Sequence, residues 1–576
     1  MHVVNDADAM QVSHIVSRRG EKEYHSYLIR RSYRENGKVK HETLANISKL
    51  PLSAIEALKL VLAKKPVIEA GSDFSVTSSL RHGSVALVHA LAKDIGLIED
   101  LGPRCKERDL IVAMIIAQGV SPSSKLSYVK YLSETTLSQD LDLGNYDVDD
   151  FYAALDYLFD NQVAIEKRLV KKHISNGSML LYDLSFSYME GTKCSLSRFG
   201  YSRDKKRGKL QIEYGVLATK EGLPLAVRVF DGNTSDLASF RSVIDEIKNT
   251  HCLERVVIVG DRGMTSAANI EKLHQVDPSY LYVSALRSPQ IKALVNQGSI
   301  QLGLFDSVDL VEITHPDYLG ERLVVCKNHE LAKKRHYDRL ALLEVAMTRL
   351  GALAASVDKG RIKDPAEIGQ RINKAIGSTK MAKHIITTVE PGSLSFCLDE
   401  GSIEAEAATD GLYVIRTTVD AKDLSSAEVV GAYKNLANVE RAFRSLKTID
   451  VNVRPVRHYL EKRVRAHIFL CMLSAHLIFV AKERLALMTF RDTEPPTHGN
   501  PVVKKQVSPS AMEKASTKKD TDDNEVMSFR DVLRSLDTLM RNECTVTGTQ
   551  VTFKKITVPN AIQARAFELI GAKIPL

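Results

Sequence analysis

No two of the seven cysteines stand close together. They are Cys105, Cys194, Cys252, Cys326, Cys397, Cys471 and Cys544, and no Cys-x2-Cys pair occurs. This spacing argues against zinc fingers and dithiol redox motifs and predicts buried thiols in a reducing compartment. The first residues, Met1-His2-Val3-Val4-Asn5-Asp6-Ala7-Asp8, lack the basic and apolar runs of a secretory signal, so none is expected. Long hydrophobic runs are also missing. The most apolar stretch, 468–481, is short for a membrane span, contains His476 and is flanked by Arg465, His467, Lys482 and Arg484. A buried core helix is expected there, with no membrane partner. No clear heptads mark a coiled coil.

What is present suits a soluble, multidomain chain. With 576 residues it exceeds what one hydrophobic core organises, so three or four domains are expected. The net charge of +8 suits a polyanionic partner, although placement matters more than the sum.

Along the chain, 24–34 reads as a strand, Glu35-Asn36-Gly37-Lys38 as a hairpin turn and 38–47 as the return strand. Such a basic ribbon either lies against DNA or forms a solvated edge. Residues 78–176 are helical in pattern, with apolar runs around Val85–Ile95, Leu110–Ile116 and Phe151–Leu169. From 179 the pattern changes to strands at 179–183, 210–219 and 223–230. A helix at 235–248, a strand at 255–259, a helix at 266–275 and a strand at 280–286 follow. Three antiparallel strands followed by alternating elements predict an α/β fold with a ribonuclease-H-like mixed five-stranded sheet. Two helical runs, 331–355 and 364–377, and strand-like pieces interrupt that sheet as an insertion. The expected domains are a small β-hairpin region (1–75), a helical DNA-binding domain (76–177) and the first part of the core (178–290). An insertion domain (291–410), the second part of the core (411–490), a flexible linker (491–526) and a C-terminal segment (527–576) complete the chain.

Three carboxylates carry the chemistry. Asp183 closes Leu180-Leu181-Tyr182, Asp261 follows Val256-Val257-Ile258-Val259-Gly260, and Glu440 lies on a later helix, expected at about 425–448. Ser425 or Ser426 could cap that helix, with Glu428 near its start. In the expected sheet the ends of the first and fourth strands are neighbours, so Asp183 and Asp261 should meet. Carboxylates suit magnesium, which takes one or two of them per ion. A two-ion site (Mg2+, with Mn2+ as a substitute) is expected, Asp183 bridging, Asp261 holding one ion and Glu440 the other. Tyr433, Glu440 and Lys447 are spaced by seven, which predicts one helix face. Arg198, Arg203, Lys205, Lys206, Arg207 and Lys209 fill the loop between the first two strands, a pattern that suits phosphate contacts. Arg454, Arg457, Arg463 and Arg465 suit phosphates or a solvated helix surface equally well. Asp231, Asp236 and Glu428 rank lower as metal ligands. His458, His467 and His476 lack metal-ligand spacing and are expected to be structural.

These motifs resemble DDE transposases of the bacterial insertion-sequence group whose catalytic helix carries a Tyr-x2-Arg-x3-Glu-x6-Lys signature. Here the segment reads Tyr433-x2-Leu436-x3-Glu440-x6-Lys447, with leucine at the arginine position. Asp261-Arg262-Gly263-Met264, Gly232-Asn233-Thr234-Ser235-Asp236 and Arg454-Pro455-Val456-Arg457-His458 carry the same resemblance. It implies an enzyme that pairs terminal inverted repeats as a homodimer or higher oligomer, frees a 3′-OH by hydrolysis and joins it to target DNA. A cytoplasmic, nucleoid-associated protein of a bacterium or archaeon is expected. Two other readings stay open: a transposase-derived DNA-binding protein that does not cut, and a ribonuclease-H-like nuclease that does not join.

Overall fold

The computed structural model describes residues 10–19, 22–35, 38–64, 74–175, 177–200, 208–234, 256–262, 281–495, 500–503, 506–546 and 550–575. The chain divides into two units, one of residues 1–80 with 539–558 and one of 81–538 with 559–575.

The smaller unit is built of ribbons. Strands β1 (Met10–Arg19), β2 (Lys22–Glu35) and β3 (Lys38–Asn46) form an antiparallel sheet in which Glu35 faces Lys38 across the expected turn. Asn36 and Gly37 lie outside the described residues. His14 stacks on Tyr27 with ring centroids 4.4 Å apart, a pair brought opposite by the β1–β2 register. The helix Leu52–Leu62 follows, then β4 (Phe74–Arg81).

In the larger unit, β5 (Met179–Tyr188), β6 (Gln211–Thr219), β7 (Pro224–Asp231), β8 (Val257–Val259) and β9 (Leu281–Ala285) are the five expected strands. Their order is β9-β8-β5-β6-β7, with β5 antiparallel to β6 and parallel to β8. This is the ribonuclease-H-like arrangement. The sheet is wider than five strands. The insertion supplies β10 (Leu310–Ile313) and β11 (Arg322–Lys327). Its distal part is separate in packing: helices His329–Asp358 and Pro365–Ile376 and the hairpin of β12 (Ile385–Glu390) and β13 (Ser393–Leu398) share one core around Leu343, Ala346, Leu350 and Ile368. Strand β14 (Leu412–Thr417) then inserts between β9 and β11, making eight strands in all. The expected helices 235–248 and 266–275 lie outside the described residues.

Both sheet faces are covered. Leu180, Tyr182, Leu225 and Ile258 pack towards Val170 and Phe479 of the helices Val148–His173 and Glu461–Arg484 and towards Ile174, just past the first of them. Leu181, Val257, Val259 and Ile415 pack towards Val429, Val430, Ala432 and Val439 on the other face. The helices 76–177 therefore belong to the core. In Lys106–Val120 every residue from Asp109 to Val120 is buried. Glu166, fully buried on Val148–His173, accepts from the Val227 amide and pairs with Arg228 at 2.6 Å, tying that helix to β7.

Two described helices, His329–Asp358 and Glu461–Arg484, are long and apolar enough to cross a membrane by length and composition. Glu461–Arg484 is mostly buried within the protein, as expected of a core helix. The stretch expected as a linker is folded where it is described. Ser508 caps the helix Pro509–Thr517, Val502 is fully buried, and Asp520 pairs with Arg565 at 2.5 Å. Few apolar residues suffice there because capping and ion pairs fasten the backbone. The helix Phe529–Asp537 follows. The last strands, β15 (Met540–Val546) and β16 (Thr552–Ile556), pair with each other and complete a three-stranded sheet with β4 in the smaller unit. Of the described cysteines, Cys194, Cys326, Cys471 and Cys544 are buried, Cys105 half-buried and Cys397 exposed, and none is in a disulfide. Burial pushes the Cys326 and Cys471 thiols up to about 12.

Candidate active site

The two aspartates are brought together by strand register. Parallel pairing sets Leu181 beside Val259. Two residues further along each chain stand Asp183 and Asp261, on the sheet face of Leu181 and Val259, because strand side chains alternate. Asp183 is not at a strand end, as expected, but in mid-strand. The strand β5 runs on to Tyr188, paired there with β6, while β8 stops at Val259. Beyond that point β5 meets the loop after the Glu440 helix: Glu190 donates to the Val456 carbonyl at 2.9 Å and Val456 to that of Tyr188 at 3.2 Å. Each aspartate also accepts from the amide that follows it, Leu184 and Arg262, both at 2.8 Å.

The expected single helix 425–448 is three pieces. Ser426–Lys434 begins in a capping box in which Ser425 and Glu428 bond each other's backbone amides, so Glu428 is a cap and not a ligand. A turn at Asn435 leads into Leu436–Arg444, and Ser445–Ile449 is a π-helical turn. Val439 and Phe443 are buried beneath the helix, Phe443 with its ring centroid 6.0 Å from that of Tyr214, which leaves Glu440 exposed. Asn438 fixes the helix to the β6–β7 turn by donating to the Lys220 carbonyl at 2.7 Å. Gly222 in that turn has φ +97, and a Cβ there would lie 3.0 Å from the Asn438 carbonyl oxygen. Glycine thus permits both the turn and the close approach.

Asp183, Asp261 and Glu440 line one cleft of about 1080 Å³. Tyr433 lines it too. Its phenol is pushed up to about 12, first by burial, then by Asp261, with Arg262 opposing and Glu440 adding. Tyr433 therefore stays protonated at neutral pH and can donate a hydrogen bond. Leu436, at the position of the family arginine, lines the cleft and packs against the core below it.

Lys447 departs from expectation. It is not among the cleft-lining residues, and its Nζ stands 4.7 Å from the Phe186 ring centroid. The seven-residue spacing fails because the π-helical turn changes the angular step after Arg444. Of the basic loop, Arg203, Lys205, Lys206 and Arg207 lie outside the described residues. Arg198 stays exposed and folds back on its own loop, donating to the Ser195 and Ser197 carbonyls at 2.6 and 2.9 Å, and Lys209 pairs with Glu190 at 3.2 Å. Arg463 pairs with Asp156 and Arg465 with Glu461. Asp231 lies 3.7 Å from Arg198, and Asp236 is outside the described residues.

Several further residues line the cleft. Arg262 and Arg441 bring positive charge, and Arg441 bonds back to Asn438. Lys434 donates to the carbonyls of Pro501, Val502 (2.8 Å) and Val503 (3.0 Å), and Asn328 to that of Val502 at 3.2 Å. These bonds hold residues 500–503 as one wall of the cleft. A lysine between a tyrosine and an asparagine gives no hint that three carbonyls from 67 to 69 residues away converge on it.

Among the described residues no three acidic, histidine or cysteine side chains are gathered so that they alone would hold a metal. Magnesium does not require that, because water and substrate phosphate complete its shell. Three carboxylates facing one cleft therefore fit a divalent cation by donor chemistry.

Residues 178–477, more than half of the chain, match the family described as Transposase DDE domain. Residues 14–69 match the N-terminal domain of IS1634 family transposases. No curated protein matches the chain. Among solved structures it is similar to the piggyBac transposase in a synaptic complex with hairpin DNA, at 11% identity and a TM-score of 0.33, over 69% of this chain and 75% of that one. The family match begins at the foot of β5, spans all three carboxylates and ends within the helix Glu461–Arg484, so this chain belongs to the DDE transposases.

Proposed function

We propose that Asp183, Asp261 and Glu440 are the catalytic carboxylates with which this transposase cuts the ends of an insertion sequence and joins them to target DNA. The observation that carries the reading is their convergence on one cleft from distant points of the sequence, two of them by strand register. Asp183 is central and would bridge two divalent cations, magnesium or manganese, with Asp261 on one and Glu440 on the other. When bound, such ions activate the attacking oxygen and neutralise the leaving one. The chain itself orients the DNA strand: Tyr433 offers a neutral O–H, and Arg262 and Arg441 face the cleft with charge that suits phosphates. In the first step water attacks a phosphodiester, the P–O3′ bond breaks and a 3′-OH leaves. In the second that hydroxyl attacks a target phosphodiester, a new P–O3′ bond forms, the target's own P–O3′ bond breaks and the target strand leaves with a 3′-OH. Pairing of two terminal inverted repeats by a dimer or larger assembly in the cytoplasm completes the reading.

Cleavage of a labelled duplex carrying the element's own ends, with Mg2+, tests it. Wild type should nick at the end, whereas Asp183→Asn, Asp261→Asn and Glu440→Gln should bind the duplex and leave it uncut. Normal cutting by any one variant removes that residue from the site. A wild type that binds but never cuts would favour the DNA-binding reading.

A further inference from the structure

The insertion's long helix, His329–Asp358, starts at the cleft. Its N-cap Asn328, which accepts from the Leu331 amide at 2.9 Å, and Leu331 itself both line the cleft wall. Residues three and four further on share a helix face with Leu331. Those residues are Lys334 and Arg335, in the run Lys333-Lys334-Arg335-His336, all four exposed. At a rise of about 1.5 Å per residue they stand roughly one turn beyond the cleft. None of the four makes an ion pair or hydrogen bond among the described residues, whereas Arg339, one turn on, is spent on buried Asp410. Acids are close by: Glu330 and Asp338 flank the run, and Asp309 pairs with His329 at 3.2 Å. Glu330 sits in the first helical turn, where the helix dipole favours a carboxylate. Lys334 and Arg335 have no such local use.

We propose that Lys334 and Arg335 form a phosphate track that continues the active-site cleft and holds the backbone of the duplex being cut. The occupant is set by charge and by continuity. Unpaired cations on the face of a cleft-lining residue meet whatever polyanion passes through that cleft, and phosphate contacts of this kind fix position without reading sequence. The proposal rests on the catalytic reading above, because the cleft must take DNA.

The test is binding of a fluorescent mixed-sequence duplex, followed by anisotropy across a series of salt concentrations. Lys334→Gln and Arg335→Gln combined should weaken binding and lower the slope of log K against log salt by about 2, since each phosphate contact contributes about 0.9. Lys359→Gln, just past the far end of the same helix, should leave both unchanged. An unaltered slope and affinity in the double variant overturn the proposal and leave the run a solvated face or a site for another partner. Weaker binding with an unaltered slope also overturns it, because that marks distortion and not lost phosphate contacts. Thermal unfolding of the variants identifies misfolding independently. Failure of the catalytic reading is separate: in that case Asp183→Asn cuts normally whatever the double variant does.

Discussion

At the scale of single residues, the positions of the two aspartates proposed as catalytic were legible because their signals are local. Each ends an apolar run, and alternation along the strand fixes the face it takes. Glu440 was legible for the same reason, since Val439 and Phe443 point its helix inward and leave it outward. Lys447 was not, because its position depends on a π-helical turn that periodicity does not announce. Tyr433 is the residue whose role can be read most directly. Its hydroxyl is held protonated beside Asp261 and Glu440, so it contributes a donor and not a charge. Tyr433→Phe removes only that hydroxyl. The expected result is about a tenfold slower nicking rate, the loss of one hydrogen bond to a charged group at about 1.5 kcal/mol, with the duplex still bound. Single-turnover nicking at saturating DNA reads this. A rate equal to wild type would mean that the phenol only packs.

At the scale of elements, local chemistry again fixed what was readable. The capping box at Ser425 and the Glu35–Lys38 turn are signals a few residues long, and both lie where the sequence placed them. Elements assembled from afar were not readable. The strand β4 pairs in the smaller unit with a hairpin from the C-terminal region, where Ser79 donates to Asn542 across 463 residues. The insertion's β10 and β11 are four and six residues long, too short to announce that they widen the catalytic sheet. The 500–503 wall is the functional instance. Val502 has only Pro501 and Val503 as apolar neighbours in its stretch of sequence, yet it is buried in the same core as Val429 and Val439. Lys434 binds that wall, so it acts as a positioning residue. Lys434→Met keeps the stem and removes the donor, leaving three carbonyls without their shared partner. The wall should loosen, seen as faster proteolysis within 490–505, and nicking should fall, while Lys434→Arg restores both in part. Unchanged proteolysis with lost nicking would instead place Lys434 on the substrate.

At the scale of the whole molecule, the larger unit is organised around one helix, Glu461–Arg484, which packs on the helices of 76–177 and on the catalytic sheet. Its apolar sequence was readable as a core helix. What surrounds its histidines was not, because burial is a property of the assembled layers. His467 and His476 lie on this helix, His458 just before it, and His89 on Gly83–Asp94. Burial lowers His89 and His476 to about 4, His458 to about 3 and His467 well below its ordinary value. Lys93 adds to the effect at His89, and Lys125 at His458 and His467. His476 is kept neutral although it bonds the Pro224 carbonyl at 2.9 Å. The unfolded chain takes up protons near pH 6.5 that the folded chain refuses. Stability contributed by these neutral rings is therefore complete above about pH 6.5 and declines as pH falls towards 4, by up to about 1.4 kcal/mol per pH unit for each ring. Urea unfolding midpoints of the larger unit should fall steadily from pH 7 to pH 5, a range above most carboxylate titrations. His476→Gln should be less stable than wild type at pH 7 and should lose stability less steeply on acidification. Equal steepness in the two proteins would show that buried neutral His476 is not a source of the acid sensitivity.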